Sequence, residues 1–206
     1  MTYVRSPCSL HKSSAHLMRD RIIDIINDSI NVKEQILQTQ IENIIKAAKL
    51  IINSYKAGGK VLIFGNGGSA ADAQHIAAEF VGRFQKERKA LSAISLNTNT
   101  SILTAISNDY GYETVFSRQV EALGLPSDIA IGISTSGKAR NVLMAIKKAR
   151  EMGLKTICLS GGTGGELAKA SELALIAPSS VTARIQEAHI TIGHIICELV
   201  ETELFK

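Results

Sequence analysis

A histidine and a glutamate lie four residues apart just after a glycine-rich segment. At this spacing His75 and Glu79 share one face of a helix. An imidazole and a carboxylate together divide acid and base roles or bind a metal ion. The same spacing is also that of an ordinary surface ion pair, which stabilises a helix by a few tenths of a kcal/mol. The spacing alone leaves both interpretations open.

A second histidine lies in the last helical segment, within an almost wholly apolar stretch at 190–200. An unpaired ring there would cost free energy, so we expect His194 to have a polar partner, either structural or functional. Gln186 precedes it by eight residues, which is roughly 80° around a helix. Gln186 and His194 therefore flank one cleft, whereas His189 points elsewhere.

The glycine-rich segment follows a predicted strand and has the sequence Gly-Asn-Gly-Gly-Ser at 65–69. Glycines permit positive φ and close approach to a ligand, although a tight strand-to-helix turn needs them equally. The pattern Gly65-x-Gly67-x-x-Ala70 also fits the dinucleotide fingerprint, which requires an acid after the next strand. Residues 95–100 contain no Asp or Glu, which argues against a nicotinamide site, and no P-loop motif occurs.

A second loop carries three hydroxyl side chains before a predicted helix, at Ser134, Thr135 and Ser136, followed by Gly137. Free N–H groups and the helix dipole favour an anion at such a position. The alternative is that Ser and Thr simply cap the helix. Both loops follow strands, and ligands bind where loops leave the carboxyl ends of parallel strands. The two loops are therefore predicted to form two walls of one site.

Alternating strands and helices must position these loops. Residues 15–57 predict helix from apolar spacings near 3.6, with a break near Asn31 and an end at Gly58. Short apolar runs predict buried strands at 61–64, 91–96, 129–133, 156–159 and 173–176. Helices are predicted at 69–82, 100–107, 113–123, 139–152, 166–170 and 181–204. Strand–helix alternation predicts an α/β fold, a three-layer, doubly wound sandwich around a five-stranded parallel sheet.

Composition excludes several classes of protein. The 206 residues carry a net charge of +4, with 45% hydrophobic and 20% charged residues, as in a globular domain. The densest charged cluster lies at 86–89. A nucleic-acid surface needs a basic stripe with aromatic side chains that stack on bases, and this chain has no Trp and only 4% aromatic residues. We therefore expect no nucleic-acid partner. No apolar stretch reaches the roughly 18 residues that span a membrane, so no membrane partner is expected.

The cysteines and the N-terminus predict a cytoplasmic protein. Cys8, Cys158 and Cys197 show no CxxC spacing, and the last two lie in apolar segments that favour buried, reduced thiols. The N-terminus lacks a hydrophobic signal core. We expect a flexible leader at 1–14 and a single domain at 15–206 that includes the N-terminal helices.

Several motifs occur in order and together resemble the phosphoheptose isomerase family of sugar isomerase (SIS) domains. They are GNGGSAADAQH at 65–75 with Glu79 following, NDYG at 108–111, FSRQV at 116–120, GISTSG at 132–137 and RIQEAH at 184–189. The resemblance covers about residues 20–205. It implies the SIS fold with N-terminal helices, and a homotetramer whose active sites lie at subunit interfaces. The implied substrate is sedoheptulose 7-phosphate, and the implied product is D-glycero-D-manno-heptose 7-phosphate, used for lipopolysaccharide or capsule.

The resemblance also implies roles for matching positions. Glu79 and His194 match the acid/base pair of the family. The positions that hold zinc in the family match His75, Glu79, Gln186 and His194. The substrate-binding positions match Asn66, Gly67, Gly68, Glu79, Asn108, Asp109, Ser134, Thr135, Ser136 and Gln186. The sequence departs from many relatives at Ala139, which replaces a serine of the phosphate loop, and from some at Ala183, which replaces an acid.

The implied chemistry leaves two questions open. Glu79 is expected to move the carbon-bound proton and His194 the protons on the oxygens. Because a zinc-bound carboxylate is a weaker base, two alternatives stay open: Glu79 leaves the metal, or the two roles are reversed. A shorter sugar phosphate is an alternative substrate. A non-catalytic SIS protein that binds a replication initiator is the alternative function. Such proteins lack the intact glycine loop and the second histidine, both of which this chain retains.

Overall fold

The structure is a computed structural model that describes residues 14–206. The expected flexible leader, apart from its last residue, lies outside these residues. The elements are α1 (Ser14–Thr39), α2 (Ile41–Lys56), β1 (Val61–Gly65), α3 (Gly68–Val81), β2 (Ala93–Ser95), α4 (Thr100–Tyr110), a 3-10 helix (Tyr112–Thr114), α5 (Val115–Leu123), β3 (Ile129–Ser134), α6 (Arg140–Glu151), β4 (Lys155–Gly161), α7 (Gly165–Ala170), β5 (Leu173–Ala177) and α8 (Thr182–Leu204). No helix within 14–206 is long and apolar enough to cross a membrane.

The five strands form one parallel sheet in the order β2-β1-β3-β4-β5. Every residue of β1 and β3 is buried, as expected for parallel strands covered on both faces. Strand β1 lies between β2 on one side and β3 on the other, so the direction in which strands are added to the sheet reverses at β1. The loops that follow β1 and β3 therefore leave the same edge of the sheet side by side. This arrangement confirms the predicted α/β fold and the predicted adjacency of the two loops.

Helices cover both faces of the sheet, because side chains alternate along each strand. On β1, Val61 and Ile63 belong to the core beneath α2, α3 and α8, whereas Leu62 and Phe64 belong to the core beneath α5 and α6. The result is the predicted three-layer sandwich, in which α3 and α8 share one face. Those are the two helices that carry the candidate chemical groups.

Three predicted boundaries were wrong. Helix α4 ends at Tyr110 and not at residue 107. The N-terminal helix breaks at Gln40, not near Asn31, which lies exposed inside α1. At the break, the Gln40 side chain accepts a hydrogen bond of 3.2 Å from the backbone N–H of Ile176 in β5, a contact that local sequence does not reveal. Strand β2 spans only Ala93–Ser95, not 91–96, because it lies at the sheet edge and pairs with β1 over three residues.

Candidate active site

Helices α3 and α8 bring two histidines and a glutamate together. The Nε2 atom of His75 lies 3.1 Å from Oε1 of Glu79 and 3.3 Å from Nε2 of His194. The helices approach closely because α8 has a glycine at the crossing, where a Cβ atom on Gly193 would lie 2.7 Å from the Ile76 side chain. The partner expected for His194 is therefore His75, on the other helix.

The three side chains stand at a half-open surface. The His75 side chain is 47% exposed and that of Glu79 is 25% exposed, so solutes have access. The Phe84 ring packs beside His194 with ring centroids 5.5 Å apart. Facing Nε2 atoms form a hydrogen bond only when one of the two nitrogens carries a proton and the other does not. One turn before His75, burial raises the pKa of Asp72 to about 6, although the charge of His75 opposes this.

The donor set fits a zinc ion. One ligand atom from each of His75, Glu79 and His194 lies within 4.8 Å of the others. Two imidazoles and a carboxylate are typical zinc ligands, and a tetrahedral site with bonds of about 2.0 Å separates its ligand atoms by about 3.3 Å. The separations of 3.1 and 3.3 Å agree with this spacing. The three residues therefore form a group that could hold a metal ion, and their chemistry fits zinc.

The glycine loop between β1 and α3 lies against α8. Gly67 has a φ of 56°, which favours glycine. A Cβ atom on Gly68 would lie 2.1 Å from Nε2 of Gln186, so the absence of a side chain makes room for this glutamine. The structure thus brings three predicted residues together, and Gln186 lies at the glycine loop.

Asn66 of the glycine loop is held by two residues that the sequence analysis did not identify. Its side-chain amide exchanges hydrogen bonds of 2.8 and 2.9 Å with that of Asn141 in α6. The Tyr112 hydroxyl donates to Asn66 Oδ1 at 3.1 Å. No sequence signal marked Asn141 or Tyr112, because their partner lies 75 and 46 residues away. The network ties the glycine loop to α6 and to the 3-10 helix.

Asn108 and Asp109 lie at the end of α4. The Asn108 side chain donates to Asp109 at 2.9 Å, and Asp109 lines a surface cavity with Tyr110 and Arg118. Within residues 14–206 no hydrogen bond joins either residue to His75, Glu79 or His194. Neither residue is therefore in hydrogen-bond contact with the histidine cluster in this structure.

The hydroxyl-rich loop after β3 forms a cleft of about 270 Å³, lined by Thr135 and Ser136 on one side and by Ser179 and Ser180 on the other. Ser134 ends the strand and is only 6% exposed. Neither serine nor threonine caps α6, whose N-cap residue is Ala139 and has no side-chain cap hydrogen bond. The capping alternative is therefore wrong, and the hydroxyls of Thr135 and Ser136 line a cleft. Ser179 and Ser180 were not identified from the sequence.

Helix α8 joins the two ends of the site. Its residue Ile185 lines the hydroxyl cleft, Gln186 contacts the glycine loop, and His194 contacts α3. The eight-residue step from Gln186 to His194 corresponds to about 12 Å along a helix. One wall thus runs from the hydroxyl-lined cleft to the histidines.

His189 of α8 and the thiols of Cys158 and Cys197 are buried in the interior of the protein. His189 is fully buried, and its Nε2 lies 3.1 Å from the Ser160 carbonyl oxygen. Burial lowers the pKa of His189 to about 4, although this hydrogen bond opposes the shift, so the ring is neutral at pH 7. Cys158 and Cys197 are buried free thiols, as predicted.

Comparisons with known proteins agree with this geometry. The model of the SIS domain family matches residues 25–161. The phosphoheptose isomerase of Roseiflexus sp. is 56% identical over 185 residues, which cover 90% of this chain and 94% of the relative. The chain belongs to the phosphoheptose isomerase family. Two solved structures support this membership: GmhA from Neisseria gonorrhoeae (42% identity, TM-score 0.85, 90% and 99% of the two chains) and the enzyme from Francisella tularensis (36%, 0.87, 90% and 98%).

Membership of the phosphoheptose isomerase family confirms the family and the fold that the motifs predicted. Membership of an isomerase family also makes the cluster of His75, Glu79 and His194 on α3 and α8 the candidate catalytic group.

Proposed function

We propose that this chain converts sedoheptulose 7-phosphate into D-glycero-D-manno-heptose 7-phosphate, the first step towards nucleotide-activated heptose for lipopolysaccharide or capsule. The observation that carries the proposal is the cluster of His75, Glu79 and His194 at one end of a wall formed by α8, with a hydroxyl-lined cleft at the other. The names of the relatives support the same reaction.

The phosphate binds in the cleft that the loop after β3 forms with Ser179 and Ser180. Hydroxyls of Thr135 and Ser136, which line this cleft, donate hydrogen bonds to its oxygens. Ser134, the last residue of β3, positions the loop that carries Thr135 and Ser136. Lys138 lines the same cleft and adds positive charge. Ala139 offers no hydroxyl, so we expect weaker phosphate binding than in relatives with a serine there.

The sugar lies along the glycine loop between the phosphate and the histidines. Asn66 is held by its amide pair with Asn141, while Gly67 and Gly68 let the substrate approach the backbone. Gln186, beside Gly68, contacts the sugar near the reacting carbons. Asn108 and Asp109 complete the pocket from the end of α4.

Proton transfer is divided between Glu79 and His194. Glu79 removes a proton from C1 of the ketose, the C1–C2 double bond forms, and the C2 carbonyl oxygen takes a proton from His194. His194 then accepts the proton of the C1 hydroxyl as the C1 carbonyl forms, and Glu79 returns its proton to C2. Atoms and electrons balance, and each group recovers its starting state. Acid–base catalysis of this kind contributes about 10²- to 10⁴-fold in rate.

His75, Glu79, Gln186 and His194 would hold one zinc ion per subunit. The chemistry that such an ion would supply is Lewis-acid stabilisation of the negative charge that develops on the substrate oxygens. Without zinc, the Nε2 atoms of His75 and His194 are in hydrogen-bond contact, which fixes the orientation of the His194 ring. A carboxylate that binds a cation is a weaker base, so the division of roles needs its own test.

We further propose a homotetramer with active sites at subunit interfaces, located in the cytoplasm. Large apolar side chains of α1 are exposed, which is unusual for a monomer and typical of an interface. They include Leu17, Met18, Ile22, Ile23, Ile26 and Ile30, each 46–66% exposed. The buried free thiols are those of a protein from a reducing compartment. Size-exclusion chromatography with light scattering measures the number of subunits.

The proposed reaction is tested by incubating zinc-loaded protein with sedoheptulose 7-phosphate and following the aldose by NMR. We expect the aldose to accumulate to an equilibrium that is also reached from the product. A five-carbon ketose phosphate, assayed in parallel, tests the shorter substrate. No product from the heptulose phosphate, together with binding to a replication initiator, would favour the non-catalytic alternative.

A further inference from the structure

A buried ion pair joins the segment after α3 to the C-terminal part of α8. The Nε atom of Arg88 lies 2.8 Å from Oε2 of Glu201, and the two side chains are 1% and 2% exposed. The mechanism proposed above uses neither residue. Because burying two charges is costly, such a pair persists only where further hydrogen bonds satisfy both groups. The contacts of each partner therefore indicate what the pair does.

Arg88 binds the last turn of α3. Its Nη2 atom donates to the carbonyl oxygen of Glu79 at 2.9 Å, and its Nη1 atom donates to that of Phe80 at 2.8 Å. Carbonyls at a helix end have no partner within the helix. The rigid, planar guanidinium supplies both donors at once, which the ammonium of lysine does not. Arg88 thus fixes the backbone from which the Glu79 carboxylate projects.

Glu201 binds the segment that packs on His194. Its two oxygens accept the N–H groups of Phe84, Gln85 and Lys86 at 2.9, 2.8 and 2.7 Å. The Phe84 ring lies 5.5 Å from the His194 ring. Glu201 follows His194 by seven residues, which places it about 20° away around α8 and two turns further along. The carboxylate therefore anchors the segment against the same face of α8 that presents His194.

We propose that Arg88 and Glu201 are positioning residues that set the separation between Glu79 on α3 and His194 on α8. The inference rests on the proposed function, in which those two side chains are the acid/base pair. Neither Arg88 nor Glu201 touches the reacting atoms. Each acts through the backbone or the aromatic ring that it holds. Groups that orient metal ligands or catalytic side chains in this way contribute about 10- to 100-fold in affinity or rate.

Two variants separate positioning from folding. Arg88→Lys keeps a positive charge for Glu201 but loses the fork that reaches the α3 carbonyls, and Glu201→Gln keeps the shape but removes the charge. We expect kcat to fall about 10- to 100-fold, with KM changed less than about 3-fold because the phosphate cleft is untouched. Lys89→Ala and Glu198→Gln, exposed neighbours on the same segments, are the controls and retain normal kcat.

A spectroscopic readout makes the test independent of turnover. In protein loaded with Co²⁺, visible d–d absorption reports the geometry of His75, Glu79 and His194 without substrate. We expect a shifted absorption band and about 10-fold weaker cobalt binding in Arg88→Lys, with the control spectra unchanged.

If Glu201→Gln fails to fold, as judged by circular dichroism, the milder Arg88→Lys decides the matter. A folded Arg88→Lys protein with the kcat, spectrum and cobalt affinity of the wild type would overturn the inference. An inactive wild type would refute the proposed function instead.

Discussion

Replacing Gly68 with alanine puts a methyl group against the Gln186 side chain. The new Cβ atom would lie 2.1 Å from Nε2 of Gln186, whereas ordinary contacts begin at 3.4 Å, so the amide must move by more than ~1 Å. The end of a flexible side chain moves easily, and alanine favours helix over glycine, so we expect the free energy of unfolding to change by less than about 1 kcal/mol. A misplacement of this size costs about 10²-fold in rate, which is our expectation for kcat/KM.

The assay is a double-mutant cycle. The ketose-to-aldose rate is followed by NMR for Gly68→Ala, Gln186→Ala and the double variant. If the methyl acts by displacing the glutamine, the double variant is no slower than Gln186→Ala alone. Gly58→Ala, at a φ of 80° with no atom within 4 Å, costs about 1 kcal/mol of stability without changing the rate, and is the control. The reasoning would be refuted if the rate losses of the two single variants multiplied in the double variant, or if the rate of Gly68→Ala were within 3-fold of the wild type.

Three further predictions concern other parts of the molecule. Burial raises the pKa of the Glu201 carboxyl, but backbone hydrogen bonds and its ion pair outweigh burial and bring it to about 2. The stabilisation of the folded state by the ionised Glu201 carboxylate is present above the unfolded pKa and is lost as pH falls from 4.5 towards 2. The urea concentration at the midpoint of unfolding should therefore fall less over this range in Glu201→Gln than in the wild type. Burial raises the pKa of Cys158 to about 11 and of Cys197 to about 12, so a thiol reagent should label neither in native protein at pH 8, whereas urea exposes both. Asn141→Ala removes two hydrogen bonds from the glycine loop and should raise KM about 10-fold with little change in kcat; an unchanged KM would contradict this role.

The fold was predictable because its strongest signals are local. Apolar runs identified β1 and β3, which are buried throughout, and helical periodicity identified the helices around them. The break at Gln40 was not predictable, because it depends on a hydrogen bond to β5 across 136 residues. The length of β2 depends likewise on pairing at a sheet edge.

The site was predictable in its parts and not in its assembly. The four-residue spacing placed His75 and Glu79 on one face of α3, but their contact with His194 depends on the packing of α3 and α8 at Gly193. Arg88 belongs to the densest charged cluster of the sequence, at 86–89, a pattern that does not predict burial. Its burial depends on Glu201, 113 residues away, so no local pattern reveals it.

Turnover by Glu79→Gln and His194→Gln tests the central claim most directly. Both substitutions remove a proton-transfer group while preserving size and polarity, and Glu198→Gln on the exposed side of α8 is the matched control. With sedoheptulose 7-phosphate as substrate, we expect kcat to fall by about 10²- to 10⁴-fold in each variant and not in the control. Near-normal turnover in either variant would contradict the account.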